Sequence, residues 1–419
     1  MSPSISIDSD DRELEALLRK LATLACKEGA YLHPALRVVS RKGNLWIESD
    51  AQDGEVLVRL PPESLIPIDE ASLRLDGSAI RIEACSEKIS SAQKALLDCM
   101  LAIYNQGDKL ELHRGYSPWS AFGSSQALLD RLQFARKDGP KIRRYHEMAS
   151  KGGDRDQLLL EHFIGSRTLQ YRVKRGDPNS PSYRVLMPYI DFFNHHFASP
   201  GFSRDELALA VNASRPVQGS KECLVSYSRM DAMDSFLTYG FVDTPAPFMR
   251  SVPVAISLPG TEGILIEGRM GVRKNPPPSV LQDLKGWVPP FRKGDRGEFI
   301  LGSLIIPGPQ AVLSMHRILA FVIQRFLAPN VPQQQLLGMV EDAVEQVLAA
   351  NEDYLAALAA TLKRVEGRLE ATPALDQLGQ LIVLQGQKLR NFREAVSRIG
   401  HLGQKVAGSA GWMTRSPIF

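Results

Sequence analysis

The sequence predicts an α+β protein, in which short β-strands are interrupted by a helical segment and followed by a helical C-terminal domain. Three observations lead to this prediction. Short runs of β-branched and apolar residues, separated by Gly and Asp, occupy residues 28–85 and 166–245. Between these stretches, over residues 86–165, apolar residues recur at helical spacing. The same helical spacing returns from residue 309 to the C-terminus.

Length and composition limit the class of protein. A chain of 419 residues is long enough for two or three domains, and 44% hydrophobic with 23% charged residues is typical of a globular protein. Fifty Lys and Arg against 47 Asp and Glu leave a formal charge of +3, which is too balanced for a broad phosphate-binding surface. Nucleic acid is therefore not the expected partner.

The cysteines and the termini indicate a reducing, aqueous compartment. Four cysteines are scattered without a CxxC pair, so neither a zinc site nor a disulfide framework is indicated. The acidic, polar N-terminus lacks the features of a secretory signal, and the longest apolar run, residues 318–327, is too short to cross a bilayer. We therefore predict a cytoplasmic protein without a membrane partner.

The first segments are predicted to form a helix followed by strands. Residues 1–27 form an N-terminal segment in which leucines recur at helical spacing behind a run of Asp over residues 11–26. Residues 28–85 then carry the first short strands, with Gly43 and Asn44 most simply forming a hairpin turn.

A helical insertion interrupts the strands over residues 86–165. Helical spacing is clearest over residues 86–104, 125–134 and from Gln157, and we expect the charged segment 136–156 to lie largely at the surface. An insertion of about eighty residues has the size of a small domain. Connections of this length usually serve a function.

The strands resume over residues 166–245, and the rest of the chain is predicted in two parts. Two apolar runs that end at Tyr227 and Tyr239 are interpreted as strands. Residues 246–308 are a mixed region or linker, and residues 309–419 form the helical C-terminal domain. Within that domain, residues 336–362 fit either one long helix or an antiparallel pair, followed by a helix over about 373–399. We expect the tail from residue 408 to be frayed.

Polar residues cluster after an apolar run at residues 183–190, and each has a simple structural interpretation. Asp191, Asn194, His195 and His196 could form an Asx-type turn at the end of a strand. A metal site is disfavoured, because adjacent histidines on a strand point to opposite faces and no third ligand is near in sequence. Arg167 could equally cap the C-terminus of a helix.

The order of these motifs resembles the SET-domain methyltransferases of the Rubisco large subunit methyltransferase branch. MPYIDFFNHH resembles that branch's Asp-x-x-Asn-His segment, and VSYSRMDAMDSFLTYGFVD resembles its tyrosine, spacer and Tyr-Gly-Phe ending. Supporting matches, in the expected order, are GEVLVRLPPESLIP, SPWSAF and GSRTLQYR. The resemblance covers roughly residues 29–242 and implies a SET-type domain with a helical insertion, followed by an all-α substrate-binding domain. The faint match LQGQKLRNF accompanies that C-terminal part.

The resemblance implies S-adenosylmethionine as cofactor and a protein as substrate, with lysine the usual acceptor. It assigns the cofactor to six residues and the methyl-transfer channel to two more. The cofactor residues are Arg167, Asp191, Asn194, His195, Gly43 and Asn44, and the channel residues are Tyr239 and Tyr227. The chemistry suits these roles, since guanidinium binds carboxylate and Asp accepts from an ammonium. No metal is implied, and His196 is a bystander.

Two departures from the family pattern leave alternatives open. The Gly-x-Gly cofactor loop is matched only by residues 41–46, RKGNLW, which hold one glycine. No tyrosine occurs between Tyr239 and Tyr354, where the family usually has one. The chain could therefore be a lysine methyltransferase, a histidine methyltransferase, or a SET-like module that binds partners without catalysis.

Overall fold

The structure is a computed structural model that describes residues 5–150, 154–173, 179–269, 279–284 and 287–406. The chain forms two compact units. The first unit comprises Met1–Ser120 with Gly153–Arg229, and the second comprises Ala121–Gly152 with Met230–Phe419.

Helices occur in both units. They are α1 (Arg12–Lys27), α2 (Ser91–Gln106), α3 (Lys109–Tyr116), α4 (Pro118–Ala121), α5 (Gln126–Ala135), α6 (Pro140–Ser150), α7 (Arg155–Ser166), α8 (Ala232–Tyr239), α9 (Leu313–Val322), α10 (Gln333–Val365) and α11 (Pro373–Val406).

The strands are short and also occur in both units. They are β1 (Ser6–Ser9), β2 (Tyr31–Leu32), β3 (Leu36–Arg41), β4 (Asn44–Ser49), β5 (Val56–Leu60), β6 (Ile66–Pro67), β7 (Ala71–Asp76), β8 (Ala79–Cys85), β9 (Leu169–Arg172), β10 (Ser182–Leu186), β11 (Asn194–His195), β12 (Ser203–Asp205), β13 (Ala208–Asn212), β14 (Leu224–Val225), β15 (Phe248–Arg250), β16 (Val254–Ile256), β17 (Ile264–Ile266), β18 (Phe291–Lys293), β19 (Phe299–Leu301) and β20 (Ile305–Pro307).

The first helix forms as the leucine spacing predicts. The Asp11 carboxylate caps α1 by accepting from the backbone N–H of Glu13 at 2.8 Å and of Leu14 at 3.1 Å. The apolar face that includes Leu14 and Leu18 is fully buried in the core of the first unit.

Several small sheets surround this core. Strands β1, β3 and β4 form one sheet, β12, β13, β5 and β2 form a second, and β6, β10 and β9 form a third. The pairs β7–β8 and β11–β14 complete the first unit. Strand β1 was not predicted, because its partner β3 lies far along the chain and pairs with it in parallel. The predicted hairpin at Gly43 and Asn44 is confirmed by the antiparallel pairing of β3 with β4.

The second unit combines small sheets with long helices. Strands β16, β17, β19 and β18 form one sheet, and β15 pairs with β20. Helix α10 is continuous over 33 residues, which settles the open choice for residues 336–362 in favour of one long helix. The Arg393 side chain of α11 pairs with Glu345 and Glu352 of α10, as expected for two antiparallel helices. The tail from residue 408 lies outside the described residues.

The α+β class and the helical C-terminal region are confirmed. The two units divide the chain differently from the predicted segments, since α2, α3 and α7 of the segment 86–165 belong to the first unit, and α5 and α6 to the second. Residues 246–308 contain strands β15 to β20. The six predicted segments, with the five boundaries between them, stay a prediction.

Candidate functional site

A partly buried ion pair joins two of the predicted site residues in the first unit. Arg167, the residue that follows α7, places its Nη1 atom 3.2 Å from Oδ2 of Asp191. The Tyr104 hydroxyl of α2 donates to the same oxygen at 2.9 Å. The Asp191 side chain is only 5% exposed, so the carboxylate lies almost out of solvent. The structure therefore brings together Arg167 and Asp191, two of the residues that the resemblance assigns to the cofactor.

Backbone strain helps to place Asp191. The residue lies in the 3₁₀ turn Ile190–Phe192, and Tyr189 just before it adopts φ 65°. This conformation costs a non-glycine residue about 1–3 kcal/mol, and it persists only where the surroundings enforce it. The Tyr189 side chain is fully buried, and its hydroxyl donates to the Leu18 carbonyl at 2.6 Å. Helix α1 thus holds the strained turn that presents Asp191.

The burial of Asp191 and Tyr104 shifts their pKa values. Burial raises the pKa of Asp191, and Arg167 and the Tyr104 hydroxyl partly offset this effect. Burial also raises the pKa of Tyr104 well above its usual range, an effect increased by the neighbouring carboxylate, so the phenol stays protonated as a donor. The Arg167 guanidinium lies 4.4 Å from the ring centre of Phe163 and 5.3 Å from that of Tyr104. Both rings therefore make favourable cation–π contacts with the guanidinium.

Further titratable groups lie around this pair. Burial and the charge of Arg167 together lower the pKa of Lys109, the first residue of α3, to about 7, while Asp191 acts in the opposite direction. The ring nitrogens of His113 and His162 are 2.7 Å apart, and burial holds the pKa of His113 well below its usual value. Sequence analysis missed Tyr104 and Lys109. Tyr104 is identified only by its contact with a residue 87 positions later.

Asn194 and His195 form strand β11, directly after the turn that carries Asp191. The strand pairs in parallel with β14. Asn194 is exposed, and its amide donates to Oε1 of Glu222 at 2.7 Å. The His195 ring accepts from the backbone N–H of Tyr227 at 3.0 Å, and the two rings lie 5.1 Å apart. The structure thus brings two predicted residues together, His195 and Tyr227.

The side-chain hydroxyl of Tyr227 is hydrogen-bonded as well. Its hydroxyl donates to the carbonyl oxygen of Phe193 at 2.7 Å. Because Phe193 lies between Asp191 and Asn194 in sequence, this bond ties the Tyr227 ring to the predicted cofactor segment. A hydroxyl oxygen that donates its proton in this way still has lone pairs with which to accept a weak hydrogen bond.

The hairpin turn at Gly43 is fixed by its surroundings. Gly43 has φ 77°, and a Cβ atom placed there would lie 2.3 Å from the carbonyl oxygen of Gly107, at the end of α2. Only glycine therefore fits. Asn44 is exposed at the start of β4, where it pairs with Arg41. The turn approaches the residues that immediately precede Lys109.

Tyr239 belongs to the second unit. The interpretation of its apolar run as a strand is wrong, because residues Ala232–Tyr239 form helix α8. Asp231 and Asp234 form a capping box at the start of this helix, and Gly240 ends it at φ 84°. Burial raises the pKa of Tyr239 to about 12, so its hydroxyl stays protonated at neutral pH.

Buried charges anchor the start of α8. The Arg136 guanidinium donates to Asp234 at 2.6 Å and to Asp231 at 2.9 Å, and Arg250 donates to Asp234 at 2.8 Å. All four side chains are at most 3% exposed. Arg136 is an exception to the prediction that segment 136–156 lies largely at the surface, because Asp231 and Asp234 compensate its charge within the unit.

The described residues show neither a membrane span nor a metal cluster. No helix among them is both long and apolar enough to cross a bilayer. Over the same ranges, no three His, Cys, Asp or Glu side chains group so that they could hold a metal ion.

Comparison with known proteins gives a likeness among solved structures. No protein-family model matches the chain, and no curated protein matches it. Among solved structures, the chain is similar to a crystal structure of the SET domain of LSMT bound to lysine and AdoHcy. The two are 14% identical, with 95% of this chain and 97% of that chain covered and a TM-score of 0.42. This likeness assigns no residue of the chain a role.

Proposed function

We propose that the protein transfers a methyl group from S-adenosylmethionine to a side-chain nitrogen of a protein, with lysine as the acceptor. The observation that supports this most is the partly buried pair of Arg167 and Asp191, with Asp191 in the turn just before the strand of Asn194 and His195. An amino-acid group needs a cation for its carboxylate and an anion for its ammonium. This pair offers both within a few ångströms of each other.

The atoms of the pair that remain available suit such a ligand. The Nε atom of Arg167 is buried and has no hydrogen-bond partner among the described residues. A buried donor left in that state costs about 1–3 kcal/mol, and a ligand oxygen would relieve the cost. Tyr104 and Arg167 both bond to Oδ2 of Asp191, which leaves Oδ1 for an ammonium. The donor set therefore fits the amino-acid end of the cofactor.

The other predicted residues take complementary roles in this proposal. The bound cofactor would supply a methyl group on a positively charged sulfur. Asn194 and the backbone of β11 hold the nucleoside, with Gly43 and Asn44 contributing backbone groups. The Tyr227 and Tyr239 hydroxyl oxygens accept weak C–H···O contacts and so orient the methyl group. Tyr239 acts as a protonated phenol and not as a base, since its pKa is raised to about 12.

Labelled methyl transfer tests the proposal. Purified protein incubated with labelled S-adenosylmethionine and a cell lysate should label a protein band, and Tyr239→Phe should reduce the label. Transfer that is undiminished by Asn194→Ala would contradict the site assignment. Acid hydrolysis of the labelled band separates methyl-lysine from methyl-histidine, which decides between lysine and the histidine acceptor suggested by the missing tyrosine after Tyr239.

A binding module without catalysis is the second candidate. It is favoured by Asp191, whose carboxylate already has two protein partners, and by the single glycine of the hairpin turn. In this case the pair of charges would only stabilise the fold, and the C-terminal helices would recruit a partner. Calorimetric titration with S-adenosylhomocysteine separates the candidates, because the module predicts no heat of binding and the enzyme predicts saturable binding lost in Arg167→Met.

A further inference from the structure

The segment that follows helix α8 folds back onto that helix. The backbone N–H of Asp243 donates to the Ser235 hydroxyl of α8 at 3.1 Å, and both residues are buried. Within the same segment, the Phe241 ring packs against the ring of Tyr239, with 5.9 Å between the ring centres. The position of Tyr239, the last residue of α8, therefore depends on the path of residues 240–243.

Helix α11 holds this segment by a side-chain hydrogen bond. Oε1 of Gln377 accepts from the backbone N–H of Val242 at 2.8 Å. Val242 is only 9% exposed, so without the Gln377 oxygen its N–H would be a buried donor left unsatisfied, which is unfavourable. The side chain of Gln377 thus fixes the residue that directly follows Phe241.

A second contact from α11 lies farther along the chain. The Lys388 ammonium donates to the carbonyl oxygen of Ala246 at 2.7 Å and to that of Phe248 at 3.3 Å. These carbonyls come after Asp243, the residue whose N–H returns the segment to α8, and Phe248 begins strand β15. Lys388 therefore holds the start of β15, whereas Gln377 holds the part of the segment that contacts Tyr239.

We propose that Gln377 is a positioning residue for Tyr239, acting through the backbone of Val242 and the ring of Phe241. This inference rests on the proposed function, in which the Tyr239 hydroxyl orients the methyl group, and it gives helix α11 a part in that function. Gln377 supplies one acceptor oxygen and takes no part in the chemical step. Because methyl transfer requires near-attack geometry, a small displacement of the tyrosine lowers the rate of transfer.

Three variants separate the hydrogen bond from the bulk of the side chain. Gln377→Met keeps the length of the side chain and removes the acceptor, whereas Gln377→Glu keeps an acceptor oxygen at the same reach. Gln387→Met is the control, since Gln387 is exposed on the same helix.

The first measurement is the rate of labelled methyl transfer to a cell lysate at saturating S-adenosylmethionine. Gln377→Met should lower this rate about tenfold, as a small misplacement at a reacting centre does. Gln377→Glu should restore most of the rate, and Gln387→Met should leave it unchanged. The calorimetric affinity for S-adenosylhomocysteine should stay the same in all three variants, because Gln377 does not bind the cofactor.

Two further measurements show whether the effect passes through Tyr239. In the Tyr239→Phe background, Gln377→Met should lower the rate by less than about twofold, because the hydroxyl that it positions is gone. In protein labelled with fluorotyrosine, the fluorine resonance that is missing from Tyr239→Phe reports on this ring without any need for activity. That resonance should shift in Gln377→Met, return in Gln377→Glu and stay in place in Gln387→Met.

The outcomes distinguish this inference from the proposed function. A loss of the same size in the Tyr239→Phe background, a Gln377→Glu variant as slow as Gln377→Met, or a resonance that does not shift would each overturn the inference and leave the proposed function intact. An unchanged chain that transfers no label would overturn the proposed function, while the fluorine resonance would still show whether Gln377 positions Tyr239.

Discussion

Removing Arg136 should destabilise the second unit far more than removing an exposed arginine. The Arg136 side chain is 1% exposed and makes two charged hydrogen bonds, at 2.6 Å to Asp234 and at 2.9 Å to Asp231. In Arg136→Met, Arg250 is left to balance two buried carboxylates. Breaking a buried ion pair from one side costs about 3–5 kcal/mol, because the remaining charge stays desolvated. We expect a loss of that size in the free energy of unfolding.

The assay is urea unfolding followed by far-UV circular dichroism, with Arg393→Met as the matched control. Arg393 also pairs with two carboxylates in the second unit, but it is 34% exposed, so its loss should cost less than about 1 kcal/mol. In Arg136→Met the pKa of Asp231 rises further, since burial and Asp234 already raise it. The folded state then binds a proton that the unfolded state releases, and the deficit should shrink as the pH falls from 7 toward 5.5.

Two outcomes would refute this reasoning about Arg136. The first is a loss equal to that of Arg393→Met, which would mean that burial adds nothing to the pairing. The second is a deficit independent of pH, which would mean that no carboxylate is left uncompensated. The double variant Arg136→Met with Asp231→Asn should recover part of the lost stability, because it removes the unpaired charge while keeping the volume of the side chain.

Two further predictions concern the first unit. Gly43→Ala should lower the free energy of unfolding by at least about 1–3 kcal/mol, because the new Cβ atom would lie 2.3 Å from the Gly107 carbonyl oxygen. Gly77 is the control, since it also has a positive φ but a Cβ atom there would meet nothing within 4 Å. Gly77→Ala should therefore cost less in the same urea assay. Stability should also fall as the pH drops below 6.5, by up to about 1.4 kcal/mol per pH unit, because His113 stays neutral when folded and takes up a proton when unfolded. His113→Gln keeps a side-chain hydrogen-bonding group near His162 without titrating, so a slope that is unchanged between pH 7 and 5.5 would contradict this assignment.

Local sequence patterns predicted those elements that depend on residues near each other in the chain. Helix α1 needs only the leucine spacing and the Asp11 cap, and the β3–β4 hairpin needs only a turn that glycine permits. Helix α8 was predicted as a strand, because a short apolar run fits both structures when periodicity alone is considered. The capping pair of Asp231 and Asp234 was the available signal for a helix.

Local sequence patterns could not predict contacts between residues that are distant along the chain. The charged character of segment 136–156 predicted a largely exposed stretch, yet two aspartates almost a hundred residues later compensate the charge of Arg136 in the interior. Nothing within a few residues of Arg136 signals those partners, so only the folded chain reveals that the charge is buried.

By itself, the sequence determined the α+β class and the helical C-terminal region, because these follow from the spacing of apolar residues, whereas the candidate residues around Asp191 came from the resemblance to a known family. Only the tertiary structure decided that Arg167 pairs with Asp191 and that Tyr104 donates to the same oxygen. The physical reason is that hydrogen bonding and desolvation depend on distance in space. Tyr104 in α2, Arg167 after α7 and Asp191 in the turn before β11 are far apart along the chain, and folding alone brings them together.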